Sequence, residues 1–323
     1  MRVRTAVLPP ALAVLAALTT TACGSAEKKE AGTGGLVKVN LAAMAIGQTA
    51  TIVAAKEQGI FEKHGIDLEI SYVEPAALVP ALMSGDADFV WTNAPALLAA
   101  RANNVPLKSV TTVSIAGDDP ASFPIQVMVP KDSDIKSLKD LGGKEVGTAS
   151  LFQLNDLALM ESLDQAGVDA QSVKFVEIPF PNMGEALKAG RADAIIATEP
   201  FTTIMKSKGE VVPLVSVSEG LSPTTSISSI ASSDKFIGAN SELIEDFRAA
   251  VDEAADYAVT HDDEVRATIP KMTELTPELS EVISLAPVDT TDDPAAWNAW
   301  AELLVEVGVL DKKVDSADAF LAD

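Results

Sequence analysis

Ala81-Leu82-Met83-Ser84-Gly85-Asp86-Ala87-Asp88-Phe89-Val90 recurs later in the chain as Ala186-Leu187-Lys188-Ala189-Gly190-Arg191-Ala192-Asp193-Ala194-Ile195. Each copy places a helix, a glycine able to close it in the left-handed conformation, an acidic turn and a buried strand in the same order. Each strand then ends in a polar step, Thr92-Asn93 or Thr198-Glu199, before a proline opens the next helix. The repetition predicts two similar α/β lobes.

Outward from these copies, short β-like runs alternate with helical patterns, the signature of an α/β fold with largely parallel sheets. The runs are Val37-Leu41, Asp67-Val73, Asp88-Thr92, Leu107-Ile115, Lys144-Thr148, Val173-Ile178, Ala194-Thr198 and Val211-Val217. Helices are expected over Gln48-Gln58, Ala76-Ser84, Pro95-Ala102, Gln153-Ala166, Met183-Ala189 and Pro200-Ser207. Past Ser233 the strands stop. Leu243, Phe247, Ala250, Val251, Ala254, Tyr257 and Ala258 recur at helical spacing and predict a long amphipathic helix. Asp293 as N-cap and Pro294 at the first helical position predict another, with Trp297 and Trp300 on its core face.

The chain has 323 residues, 47% of them hydrophobic but only 5% aromatic, so its core is built mainly from Ala, Val, Leu and Ile. Formal charge is -23 at pH 7. That charge repels nucleic acid and anionic headgroups, and the acids are scattered rather than gathered in a tail. Arg2 and Arg4, the apolar run Val7 to Leu18 and small residues up to Ala22 read as a secretory leader, 1-22. Cys23, the single cysteine, stands where a bacterial lipoprotein carries its lipid, which leaves no disulfide or thiol chemistry for the body. Residues 23-35, charged and then glycine-rich, read as a flexible lipidated tether. No calcium-loop spacing occurs, and His64 and His261 fall in a surface turn and at a helix end. No metal and no cofactor is expected.

Ala54-Ala55-Lys56-Glu57-Gln58-Gly59-Ile60-Phe61-Glu62-Lys63-His64-Gly65-Ile66-Asp67-Leu68-Glu69-Ile70 resembles the opening pattern of substrate-binding proteins of ABC importers. The group it resembles handles sulfonates, nitrate, taurine and the pyrimidine precursor of thiamine. Gly85-Asp86-Ala87-Asp88, Ser137-Leu138-Lys139-Asp140-Leu141-Gly142-Gly143-Lys144 and Ala192-Asp193-Ala194 leading to Glu199-Pro200 strengthen the resemblance, which spans Leu36 to Asp315. It implies a type II periplasmic-binding-protein-like fold with a ligand cleft between lobes. The first lobe is 36-121 plus 228-323 and the second 122-227, with hinges near Ala121-Gln126 and Ser218-Ser228. It further implies a monomer tethered outside the cytoplasmic membrane, with a small-molecule solute and a membrane permease as partners.

In open α/β sheets ligands lie beyond the carboxyl ends of the strands, at helix N-termini that suit polar and anionic groups. Five turns of this chain qualify, and they supply the candidate ligand-binding residues Gly47, Gln48, Thr49, Thr92, Asn93, Ser150, Phe152, Gln153, Phe180 and Glu199. Thr, Asn and Ser also cap helices without any ligand. A small polar anion such as a sulfonate is the first expectation for the solute. A flat aminopyrimidine-like heterocycle, held by Phe152, Phe180 and Glu199, is the alternative. An enzyme on the same scaffold is not expected, because no cleft histidine or second cysteine is there to build a catalytic group.

Overall fold

Among the described residues ten strands form two five-stranded sheets. They are β1 (Val37–Ala43), β2 (Ile66–Tyr72), β3 (Phe89–Thr92), β4 (Leu107–Ile115), β5 (Ile125–Pro130), β6 (Glu145–Thr148), β7 (Lys174–Glu177), β8 (Ala194–Thr198), β9 (Val211–Ser216) and β10 (Ser226–Ser233). The first sheet has the order β2-β1-β3-β10-β4 and the second β7-β6-β8-β5-β9. This computed structural model describes residues 28–30, 32 and 35–321. The leader 1-22, Cys23 and most of the tether lie outside the described residues.

The sheets are mixed rather than largely parallel. β10 runs antiparallel to both β3 and β4, and β5 runs antiparallel to both β8 and β9. Neither strand was expected, and each begins within a stretch read as a crossover, Ala121-Gln126 or Ser218-Ser228. β10 carries five serines in eight residues, a composition that looks like a linker. Its hydroxyls are buried but partnered: Ser226 with Thr112 and Ser229, Ser228 with Ser114, and Ser232 with the Asp88 carbonyl. The connections between the two sheets run from Ile115 to Ile125 and from Ser216 to Ser226.

Helices fill the connections: α1 (Ala50–Glu57), α2 (Ile60–Lys63), α3 (Leu78–Ser84), α4 (Ala94–Ala102), α5 (Leu154–Gln165), α6 (Met183–Lys188), α7 (Phe201–Ser207) and α8 (Asp234–Ala239). Past them come α9 (Ser241–Thr260), α10 (Asp262–Arg266), α11 (Ile269–Met272), α12 (Pro277–Ser280) and α13 (Pro294–Glu306). The long amphipathic helix is α9, whose Phe247 stacks on Phe89 of β3 at 4.0 Å. In α13, Asp293 accepts from the Ala295 amide as expected, and Trp297 and Trp300 are buried. One apolar cluster runs unbroken from Leu97 and Leu98 beside the first sheet to Leu157 and Leu163 beside the second. No helix among the described residues is long and apolar enough to cross a membrane.

The internal echo has a structural cause. Gly85 (φ 84) and Gly190 (φ 66) end their helices in the left-handed conformation, which a side chain would strain. The acidic residue that follows clasps the neighbouring strand. Asp88 donates its amide to the Asn40 carbonyl and accepts the Asn40 amide on Oδ2, while Asp193 does both with Glu145. In the first copy the clasp gains a cation: Lys29 Nζ lies 2.9 Å from Asp88 Oδ2. The Lys29 amide also donates to Asn240 Oδ1 at 2.7 Å. The stretch expected to be a free tether is thus fastened to the body at Lys29.

Candidate functional site

The carboxyl ends of β1, β3, β6, β7 and β8 converge, and so do the amino ends of the antiparallel β5 and β10. Between them lies a cavity of about 110 Å³. One water needs roughly 10–15 Å³ on that measure, so the space admits a small molecule. Its polar lining comes from Gln48, Thr92, Asn93, Thr148, Ser150, Gln153, Asn155, Thr198 and Ser228. Met44, Ile46, Leu78, Trp91, Leu154, Phe180 and Ile227 supply much of the apolar remainder. Among the described residues no Asp, Glu, Lys, Arg or His lines it.

Six of the ten candidate residues stand on this wall: Gln48, Thr92, Asn93, Ser150, Gln153 and Phe180. Asn93 is partly committed, since its Oδ1 accepts from the Ala96 amide and caps α4. Gln48 is the exposed nerve of the site. Its Nε2 donates to Thr198 Oγ1 across the cleft at 3.2 Å, while its Oε1 is buried with no hydrogen-bond partner. A buried acceptor left unmet costs about 1–3 kcal/mol, so the vacancy favours a ligand that donates.

The other four candidates are placed elsewhere, each for a physical reason. Gly47 serves an approach between lobes: its amide donates to the Glu199 carbonyl at 3.0 Å, and a Cβ there would meet Leu285, Ile283 and Glu199 at 3.1–3.5 Å. Thr49 is fully buried and returns its hydroxyl to the Met44 carbonyl. Glu199, 1% exposed, turns into its own helix, where it accepts from the Thr203 amide and hydroxyl at the start of α7. Phe152 is 41% exposed with φ 56 and borders a separate groove beside α5 and α13. The sequence reading missed Thr148, Asn155, Thr198 and Ser228. Thr198 was legible as the polar end of β8, whereas Ser228 required recognising β10 as a strand.

Two of the helix N-termini at the cleft are already taken by carboxylates of their own helices. At α5 the Asp156 carboxylate already accepts from the Phe152 amide at 2.6 Å and the Gln153 amide at 2.8 Å. Burial pushes its pKa up to about 6 despite those bonds, so a second anion nearby would meet an acidic group rather than free amides. Glu199 fills the same role at α7. Among the described residues no group of three or more His, Cys, Asp or Glu could hold a metal ion.

Two α/β lobes closing on a cavity at their strand ends define the periplasmic-binding-protein fold. The alkanesulfonate-binding protein SsuA from Xanthomonas axonopodis pv. citri superposes with a TM-score of 0.74, at 19% identity over 88% of this chain and 98% of that one. A Brucella abortus protein named as a binding protein is 24% identical over 85% of this chain and 87% of its own length. A Haemophilus influenzae protein named for thiamine biosynthesis is 33% identical, but over only 46% of this chain and 45% of that protein. The family profile described as NMT1/THI5 like matches residues 47–265. The chain belongs to the NMT1/THI5-like family.

Proposed function

We propose that the protein is an extracytoplasmic solute-binding lipoprotein of an ABC importer, anchored through Cys23, that captures a small molecule built on a flat nitrogen heterocycle and passes it to a membrane permease. The observation that carries this reading is the cavity wall: it has no ionisable side chain at Asp, Glu, Lys, Arg or His, and it presents the unpartnered Gln48 Oε1. Phe180, half-buried at the cavity, offers a flat apolar ring, and Gln48 asks for an N–H. A heterocyclic amine satisfies both. An alkanesulfonate, which brings only acceptors at its head, leaves Gln48 Oε1 unmet. General acid-base catalysis also finds no proton-transfer group on this wall, which supports capture rather than turnover.

Calorimetric titration with 4-aminopyrimidine, taurine and ethanesulfonate tests the assignment. The heterocycle should bind and the sulfonates should not. Gln48→Ala should weaken the heterocycle by about five- to a hundred-fold, the loss of one buried hydrogen bond and the cross-cleft contact. Tight sulfonate binding with no heat from the heterocycle would restore the anion reading.

A further inference from the structure

The cavity does not end at its own wall. Met44, Ile46, Pro75 and Phe180 also border a vestibule of about 230 Å³ at the mouth of the cleft. Beyond them stand Tyr72, Phe201 and Glu74. We infer that this vestibule is a second subsite, one that takes an organic cation, so that the solute carries an amine or ammonium group beside its flat ring. The inference rests on the heterocycle reading above and adds a charge to it.

Three observations point the same way. First, the vestibule gathers three aromatic rings in one small space. Phe180 and Phe201 stack at 5.0 Å and 13°, which fixes both rings. Tyr72 is 43% exposed yet steadied by its hydroxyl, which donates to Met272 Sδ at 3.7 Å. Aromatic faces attract cations within about 6 Å through the ring quadrupole. Second, Glu74 is the one carboxylate on the lining, exposed and, among the described residues, without an ion pair. Third, no Lys, Arg or His lines the vestibule or the inner cavity, so nothing there opposes a positive group. A sulfonate or carboxylate tail would face an acid and ring faces together. A neutral apolar tail would be indifferent to Glu74, and that difference is measurable.

The test uses the full chain and two matched probes: 4-aminopyrimidine bearing a trimethylammoniomethyl group at position 5, and its uncharged neopentyl isostere. The charged probe should bind about two- to thirty-fold more tightly than the isostere. Glu74→Gln should narrow that gap by about two- to five-fold, the modest share of an exposed charge, without changing the affinity for plain 4-aminopyrimidine. Tyr72→Leu keeps apolar bulk but removes the ring, and it should narrow the gap further. Equal binding of the two probes, or preference for the neopentyl compound, overturns the cation subsite while plain 4-aminopyrimidine still reports on the inner cavity. Failure of plain 4-aminopyrimidine as well overturns the heterocycle reading together with the subsite.

Discussion

Two carboxylates, Asp156 and Glu199, show how a residue's immediate partners decide its role. Both sit beside the cleft, and both are spent on their own helices. Asp156 is fully buried with a pKa raised from 3.8 to about 6. Its folded state therefore binds a proton more readily than its unfolded state. The stability this group contributes is full below about pH 4 and is lost as pH rises through 6, a change on the order of 3 kcal/mol. Asp156→Asn removes the titration. Urea unfolding of both proteins should show wild-type stability falling relative to the variant between pH 4 and pH 7, whereas parallel curves would mean that burial does not govern this carboxyl.

At the scale of elements, the clasp built by Asp88 and Asp193 joins helix, turn and strand in both lobes. Asp88 is 7% exposed and also holds Lys29, while Asp193 is exposed and holds only the Glu145 amide. Asp88→Ala should cost about 1.5–3 kcal/mol in denaturant unfolding, the value of a hydrogen bond to a charged group, and Asp193→Ala distinctly less. Equal losses would show that the Lys29 contact and burial add nothing. These two aspartates were visible in the sequence as an echo, and so were eight of the ten strands, because period and turn residues are local signals. β10 was hidden since its serines are made compatible with a buried strand only by partners such as Thr112 and Ser114 on a distant segment. β5 was hidden because it begins inside the stretch Ala121-Gln126, which read as a hinge. The site divided along the same line. Gln48, Thr92, Asn93 and Ser150 followed from the rule that ligands gather at strand carboxyl ends. The capping role of Glu199 and the outward turn of Phe152 depend on geometry that no local pattern carries.

Across the whole molecule, the lobes meet at Gly47 and Glu199 and at Gln48 and Thr198, so the cavity exists only when the two sheets are brought together. We expect the short crossovers, Ile115 to Ile125 and Ser216 to Ser226, to act as the hinge. Gly47→Val crowds Leu285 and Ile283 of its own lobe and brings a methyl group against Glu199 of the other, and should hinder closure. Small-angle scattering should then show a smaller radius of gyration on saturating wild type with 4-aminopyrimidine, and little change in the variant. The most direct test of the account is a crystal structure with that heterocycle bound. The account predicts the ring against Phe180 and a ligand N–H donating to Gln48 Oε1 at about 2.7–3.2 Å. A ligand seated outside this cavity, or in it with Gln48 Oε1 still unmet, would contradict it.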